Sequence, residues 1–163
     1  MSRYRPPAKP KSPYITRDGF NALKHEEKTL WKKRREVVKH LSAAAAEGDR
    51  SENAEYIYRK KQLREMDRRI RYLQKRLPQL KVVDRIPDNQ DQVFFGAWVT
   101  LADAKGESCC YRIVGADEFD PRQNWISIDS PMARALLKRL VDDVVAVRLP
   151  EATAEFEIVE IRY

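Results

Sequence analysis

The chain has 163 residues, enough for one or two small domains, and its hydrophobic share of 42% is sufficient for a folded core. Charged residues make up 35%, well above the quarter or so that is usual in globular domains. No apolar run approaches the roughly 18 residues of a membrane-spanning helix, and no apolar stretch follows the basic N-terminus, so neither a membrane protein nor a secretory signal is expected. The adjacent Cys109 and Cys110 suit neither a disulfide framework nor a metal site. We therefore expect a reduced, cytoplasmic protein.

The charge is distributed unevenly along the chain. Residues 1–84 contain 23 Lys and Arg against 11 Asp and Glu, a net charge of +12. Residues 85–163 contain 9 against 14, a net charge of −5. The basic half is therefore predicted to face a polyanion, most plausibly nucleic acid or a machine that is bound to nucleic acid.

The N-terminal half is predicted to form a disordered arm followed by a helix. Residues 1–13 hold four of the nine prolines and show no apolar period, which predicts a disordered basic arm. Thr16 is a suitable N-cap for a helix that ends near residue 46. Apolar side chains recur along that helix at heptad spacing, with two charged residues in the same register. These positions are Phe20, Leu23, Glu27, Leu30, Arg34, Val37 and Leu41.

A second helix follows after a short turn. Its apolar seam is Leu63, Met66, Ile70, Leu73, Leu77 and Leu80. Pro78 should kink or end the helix. Two long helices joined by a short turn must lie antiparallel, so residues 14–81 are predicted to form a coiled-coil hairpin.

The last third of the chain has the pattern of a small sheet. Residues 82–92 are interpreted as a linker, and residues 93–163 as an antiparallel sheet with one short helix packed on a face. Ser130 is the expected N-cap of that helix, with Pro131 at its first position. The fold class is therefore α+β. The expected strands are short β-branched or aromatic runs, at residues 93–101, 111–114, 125–128, 144–147 and 156–161.

The turn between the helices is the segment most indicative of function. Four carboxylates lie within residues 47–55, where the only base is Arg50. Asp49 and Glu52 could supply oxygen ligands to a shared Mg²⁺, although two carboxylates alone would not make a tight site. The same spacing also fits a capping box, in which Asp49 accepts a hydrogen bond from the Glu52 N–H. The spacing does not decide between these interpretations.

Two long motifs resemble a known family. One is Gly48-Asp49-Arg50-Ser51-Glu52-Asn53-Ala54-Glu55-Tyr56, followed by the basic stretch from Lys60 to Arg69, and it looks like the coiled-coil tip and second helix of GreA/GreB transcript-cleavage factors. The other comprises Phe94-Phe95-Gly96-Ala97-Trp98-Val99 and residues 126–137, and it is similar to the GreB branch in particular. The resemblance extends from about Tyr14 to Tyr163.

The resemblance implies a fold and a mechanism. The sheet domain would be FKBP-like and would dock on RNA polymerase, while the coiled coil reaches through the secondary channel to the active centre. Asp49 and Glu52 match two tip acids that help hold a weakly bound second Mg²⁺ and its attacking water, and Ser51 matches a position that adds polar contacts. The polymerase would supply the first Mg²⁺ and the cleavage activity, so the chain itself would not be an enzyme. The 3′ end of the backtracked nascent RNA would be cut and elongation would resume.

Two surfaces are implied besides the tip. The exposed loop of Asp129, Ser130, Pro131 and Met132 matches the polymerase-docking segment. The basic side chains expected to face RNA are Arg59, Lys60, Arg64, Arg68 and Arg71. The protein is expected to be a monomer with no tightly bound cofactor and no membrane partner.

Two departures from the family pattern stand out. The arm of residues 1–13 is longer than usual and has no assigned role. Asp142 takes the place of a common turn glycine, which leaves the local turn geometry open.

Three alternatives remain. The chain could be a channel binder of the same shape that inhibits polymerase without stimulating cleavage. It could be a DNA-binding protein that uses its basic half, although it lacks a helix-turn-helix or zinc signature. A prolyl isomerase would need an aromatic-lined pocket, whereas Trp98, Tyr111 and Trp125 are expected in the core.

Overall fold

The computed structural model describes residues 6–47 and 53–163, which fall into two units. The helical unit is Phe20–Leu80, and the sheet unit comprises the described residues through Gly19 together with Lys81–Tyr163. The domain boundaries expected at residues 13/14, 81/82 and 92/93 stay predictions. No helix of the described residues is long and apolar enough to cross a membrane.

Two long helices make up most of the helical unit. Helix α1 spans Arg17–Ala46 and helix α2 spans Ala54–Arg76. The Thr16 hydroxyl accepts a hydrogen bond from the Gly19 N–H at 3.1 Å, so Thr16 is the N-cap of α1 as predicted. Helix α2 passes into a 3₁₀ turn at Leu77–Gln79, which contains Pro78 and ends the helix where the proline predicts.

The predicted seam residues lie along the buried side of each helix. The most buried apolar residues of the unit are Leu23, Val37, Ala44, Met66, Ile70 and Leu73. The remaining seam positions are half-buried, namely Phe20, Glu27, Leu30, Arg34, Leu41, Leu63, Leu77 and Leu80. The apolar period therefore identified the right helical faces.

Charged side chains in and beside the seam pair between the two helices. The Arg34 guanidinium lies 2.7 Å from the Asp67 carboxylate. Arg69 donates two hydrogen bonds to Glu26, at 2.7 and 3.0 Å. Paired, half-exposed charges of this kind cost little desolvation, which explains how Arg34 is tolerated in an apolar register.

The sheet unit contains a five-stranded sheet in the order β5-β4-β3-β7-β6. The strands are β3 (Trp98–Ala102), β4 (Ser108–Val114), β5 (Trp125–Ser127), β6 (Val144–Arg148) and β7 (Thr153–Arg162). Three of the four pairings are antiparallel, as predicted, but β4 and β5 pair in parallel. The α+β class is confirmed, while the sheet is mixed. A parallel neighbour needs a connection that returns the chain to the same end of the sheet, and residues 115–124, with a 3₁₀ turn at Pro121–Gln123, provide it.

The core of this unit lies between one sheet face and helix α3, which spans Pro131–Leu136. Ala133 and Leu136 of this helix are fully buried against the strands. Burial of a leucine side chain contributes about 1.5–3 kcal/mol. The core residues contributed by the sheet unit outside α3 are Val93, Ala97, Val99, Leu101, Ile113, Val145, Val147 and Ile158.

A short parallel ribbon joins the N-terminal segment to the chain that leaves the helices. Strand β1 (Tyr14–Ile15) pairs with β2 (Lys81–Val82). Gly115 lies beneath this ribbon, and a Cβ atom there would lie only 2.2 Å from the Tyr14 carbonyl oxygen. Only glycine permits so close a backbone approach.

The turn in which a glycine was expected is built around Asp142. Its φ is +72°, in the left-handed region, and its N–H donates to the Ile158 carbonyl at 2.8 Å. The turn therefore adopts the left-handed region without glycine, because aspartate tolerates this region better than most residues.

Candidate functional site

The acids expected to act lie outside the described residues, but the structure shows how the helices end on either side of them. The expected site residues Asp49, Ser51 and Glu52 fall between the last described residue of one segment, Glu47, and the first of the next, Asn53. Glu47 follows the end of α1 and is exposed. The geometry next to the turn is therefore described by Ala44 to Glu47 on one side and by Asn53 to Arg59 on the other.

Asn53 bonds to both helices at this end of the hairpin. Its side-chain oxygen accepts a hydrogen bond from the Tyr56 N–H at 3.2 Å, and its φ and ψ of −83° and 101° are those of an N-cap. Its side-chain nitrogen donates to the Ala44 carbonyl at 2.8 Å. One amide therefore caps α2 and ties its first turn to the last turn of α1.

The position of this cap bears on the capping interpretation of the acidic turn. Helix α2 begins at Ala54 with Asn53 as its N-cap, so the interpretation of Asp49 as the cap of this helix is wrong. Asp, Ser and Asn all make good N-caps, and the segment offers each of them within five residues. The sequence signal for Asn53 was present, but nothing in the sequence ranked it above Asp49.

The charges next to the turn are partly neutralised. Glu55, in the first turn of α2, lies 2.8 Å from the Arg59 guanidinium. Arg59 also donates to the Gln62 side chain at 3.2 Å and is half-buried. Arg59, expected to face RNA, therefore forms local contacts on its own helix.

The other four basic residues expected to face RNA are exposed. Lys60, Arg64, Arg68 and Arg71 recur at intervals of four, four and three residues, which places them on one side of α2. At 1.5 Å per residue, the stripe is about 16 Å long. It is a continuous basic surface on the helical unit.

The expected docking segment is less exposed than predicted. Only Pro131 of its four residues is exposed, while Asp129, Ser130 and Met132 are half-buried and Met132 packs against the core. The Ser130 hydroxyl accepts a hydrogen bond from the Ala133 N–H at 3.1 Å and caps α3 as predicted. The segment is thus a helix start with one projecting proline.

Asp129 is held by the N-terminal segment. The N–H of Ser12 donates to Oδ2 of Asp129 at 2.9 Å, and the Ser12 hydroxyl donates to Oδ1. The Asp129 N–H donates to the Ser127 hydroxyl at 3.1 Å. Part of the arm that was expected to be disordered therefore contacts the expected docking residue.

The expected core aromatics are instead half-buried. Trp98 and Trp125 flank the Arg112 guanidinium, whose carbon lies 5.3 and 5.4 Å from the two ring centroids. Cation–π contacts of this kind keep the Arg112 charge beside the rings rather than in an apolar core. Placing Trp98 and Trp125 in the core was wrong, whereas Tyr111 does pack against it.

An apolar groove opens beside the docking segment. Its volume is about 390 Å³, and it includes Ser130 among its lining residues. The exposed Phe119 lies at this groove together with two further aromatic residues. The lining is Tyr111, Phe119, Pro121, Asn124, Trp125, Ile126, Ser127 and Ser130.

No metal site is formed by the described parts of the chain alone. Within residues 6–47 and 53–163 no three His, Cys, Asp or Glu side chains are grouped so that they could hold a metal ion.

Comparison with known proteins gives matches over almost the whole chain. The family model "Transcription elongation factor, N-terminal" matches residues 13–82, and "Transcription elongation factor, GreA/GreB, C-term" matches residues 87–163. The chain is 58% identical over 165 residues to transcription elongation factor GreB of Xanthomonas axonopodis pv. citri, covering 100% of this chain and 98% of the relative. It is 55% identical over 164 residues to transcription elongation factor GreB of Pseudomonas aeruginosa, with coverages of 100% and 98%.

Solved structures also align with the chain, at low scores. The crystal structure of GreA factor homolog 1 of Thermus thermophilus is 23% identical, with a TM-score of 0.43 and coverages of 94% of this chain and 100% of that one. A GreA/GreB factor from Nitrosomonas europaea is 26% identical, with a TM-score of 0.42 and coverages of 58% and 79%.

Proposed function

The chain belongs to the GreA/GreB family of transcription elongation factors, and from that premise we propose that it stimulates cleavage of backtracked RNA within RNA polymerase. The sheet unit would dock at the mouth of the secondary channel, and the hairpin would enter the channel. The polymerase would contribute the catalytic activity, and this chain would contribute residues to it. The proposed site of action is accordingly the cytoplasm.

The helical unit supplies a suitable support for a projecting tip. Helix α1 has 30 residues, which at 1.5 Å per residue gives a length of about 45 Å. Buried Leu23 and Val37, together with the ion pair between Arg34 and Asp67, hold the helices to each other. A pair of helices held together in this way would support the turn that joins them.

The observation that carries the proposal is that Asn53 caps α2. Because the Asn53 side chain accepts a hydrogen bond from the Tyr56 N–H, the N-cap of α2 does not depend on Asp49 or Glu52. In this proposal the two carboxylates act outside the fold. Their oxygens are the donor type that Mg²⁺ prefers, so this pair fits a shared ion, with Ser51 between them as a further polar group. When bound, Mg²⁺ would supply positive charge against the charge that develops on the scissile phosphate.

Two further surfaces serve the same function in this proposal. The projecting Pro131 and the neighbouring Asp129 would contact the polymerase. The stripe of Lys60, Arg64, Arg68 and Arg71 would attract the phosphates of displaced RNA, and such attraction weakens with salt.

The test is RNA cleavage in a purified backtracked polymerase complex with Mg²⁺, with and without the protein. Asp49→Asn together with Glu52→Gln should reduce stimulated cleavage by about tenfold to a hundredfold, the scale seen when a metal-positioning group is lost. The matched control is Glu47→Gln, which removes an exposed carboxylate just before the turn and should change the rate by less than about twofold.

Binding must be measured beside cleavage. The double variant should still compete with the unaltered protein for polymerase, since it keeps the docking segment. Raising Mg²⁺ should partly restore cleavage by mass action. Full cleavage by the double variant would remove the two acids from the mechanism, and inhibition without cleavage by the unaltered protein would favour the antagonist.

One observation favours a second candidate function. The groove has Tyr111, Phe119 and Trp125 in its lining, and a prolyl isomerase would need an aromatic-lined pocket. Catalysed cis–trans isomerisation of a proline peptide, abolished by Trp125→Ala, would establish this activity. A rate equal to the uncatalysed one would exclude it.

A further inference from the structure

The N-terminal segment from Lys11 to Thr16 is bound to the sheet unit at several points. The Lys11 ammonium lies 3.9 Å from the Asp117 carboxylate, whose side chain is only 5% exposed. The Pro13 carbonyl accepts a hydrogen bond from the Lys81 N–H at 2.8 Å. The Thr16 N–H donates to Glu118 at 2.8 Å, and the Thr16 hydroxyl donates to the same carboxylate. Ser12 therefore lies in a segment that is fixed on both sides.

Ser12 contacts the docking segment with two donors. Its N–H and its hydroxyl each bond to a different oxygen of Asp129. Two donors from one residue define the plane of the carboxylate as well as its position. The residues are 117 positions apart in the chain, so this bond is a product of the fold and not of local sequence.

The orientation of Asp129 bears on binding. A carboxylate has about four lone-pair sites, so it can accept bonds from donors besides the two of Ser12. A side chain that is already ordered loses less conformational entropy when a partner binds. Pro131, which projects two residues further on, has its φ fixed by its ring.

We propose that Ser12 is a positioning residue for polymerase docking, which it serves by holding the Asp129 carboxylate toward a cationic or N–H donor group of the polymerase. The inference rests on the proposed docking function of Asp129. It gives a role to part of the N-terminal arm, which the family resemblance leaves unassigned.

The experiment measures the Kd of the full chain for purified core RNA polymerase at about 150 mM salt, where distant charges are screened. Ser12→Ala removes the hydroxyl donor and should raise Kd about three- to tenfold, the scale of ordering one side chain on binding. Ser12→Thr keeps the hydroxyl and should restore binding to within about twofold. Lys11→Ala is the matched control, since it weakens the neighbouring anchor to Asp117 but does not touch Asp129.

A double-mutant cycle tests whether Ser12 acts through Asp129. In an Asp129→Ala background, Ser12→Ala should have no further effect on Kd. Three outcomes would overturn the inference and leave the docking function intact. These are additive losses of affinity in the double variant, an unchanged Kd for Ser12→Ala alone, and a loss of affinity for Lys11→Ala equal to that for Ser12→Ala. Unchanged binding by Asp129→Ala would overturn both. A lower melting temperature with unchanged Kd would give Ser12 a structural role only and would also refute the inference.

Discussion

Replacing Asn53 by Asp would test whether one amide closes the hairpin. Aspartate caps helices about as well as asparagine, so the bond from the Tyr56 N–H should persist. The donor to the Ala44 carbonyl would be lost, and Ala44 is only 3% exposed. The unfolding free energy should therefore fall.

The size of the loss follows from two opposing effects. The Ala44 carbonyl would still accept a hydrogen bond from the Glu47 N–H at 3.3 Å, so the change removes one of its two hydrogen bonds, which costs about 0.5–1.5 kcal/mol. The new negative charge at the N-terminus of α2 returns about 0.3–1 kcal/mol. Asn53→Asp should thus lose at most about 1 kcal/mol. Asn53→Ala loses the cap as well, and should fall by about one further kcal/mol.

The assay is urea unfolding followed by helical circular dichroism, which reports chiefly on α1 and α2. With a slope of about 2 kcal/mol per molar, a loss of about 1 kcal/mol lowers the midpoint by roughly 0.5 M. Asn53→Ser is the matched control, because serine caps without adding charge and lacks the amide donor. If the Asp and Ser variants were both as stable as the unaltered protein, the bond from Asn53 to Ala44 would contribute nothing to closing the hairpin.

Three other outcomes are expected. Asp142→Gly should raise the unfolding free energy by about 0.5–1 kcal/mol, because glycine adopts a φ of +72° without a Cβ clash, and a loss in a denaturant titration would contradict this. Tyr163→Phe should cost about 1–3 kcal/mol, because the Phe94 N–H loses its acceptor. Burial raises the pKa of the Tyr163 phenol, so this group ionises at lower pH in the unfolded chain than in the folded protein. The difference in unfolding free energy between the unaltered protein and Tyr163→Phe should therefore shrink as pH rises above about 10. A difference that stays constant there would refute this origin. Reversing Arg68 and Arg71 to Glu should reduce cleavage of long backtracked RNA more than of short RNA, by an amount that falls with salt, whereas an equal, salt-independent loss would indicate a folding defect.

Local rules were enough to predict the ends of several elements. Thr16 caps α1, and Ser130 caps α3, whose first residue is Pro131. Pro78 ends α2. Each of these depends on a side chain and a backbone group within three or four residues, so a short window of sequence contains all the partners. The apolar period likewise identified the buried helical faces, because it needs only the 3.6-residue repeat.

The errors involve contacts between distant parts of the chain. The parallel pairing of β5 with β4 depends on how residues 115–124 route the chain, which the β-branched runs do not encode. Trp98 and Trp125 are large aromatic residues of the kind expected in a core, yet they lie beside Arg112. Arg112 belongs to the strand that lies between theirs in the sheet. In each case the residue types of a segment predicted a strand, but they did not predict what lies beside that strand in the sheet.

The acidic turn shows why a site can be harder to predict than a fold. Asp49 was suited both to capping a helix and to binding a cation, and each role requires the same oxygen atoms. No property of Asp49 alone could separate them, because caps and ligands have the same chemistry. The structure resolves the capping half of the question through a different residue, since Asn53 takes the cap of α2 and bonds to Ala44 as well. A side chain such as Asp49 can fit both a structural and a functional role. Once another residue is found to perform the structural role, the functional role is the one to test on that side chain.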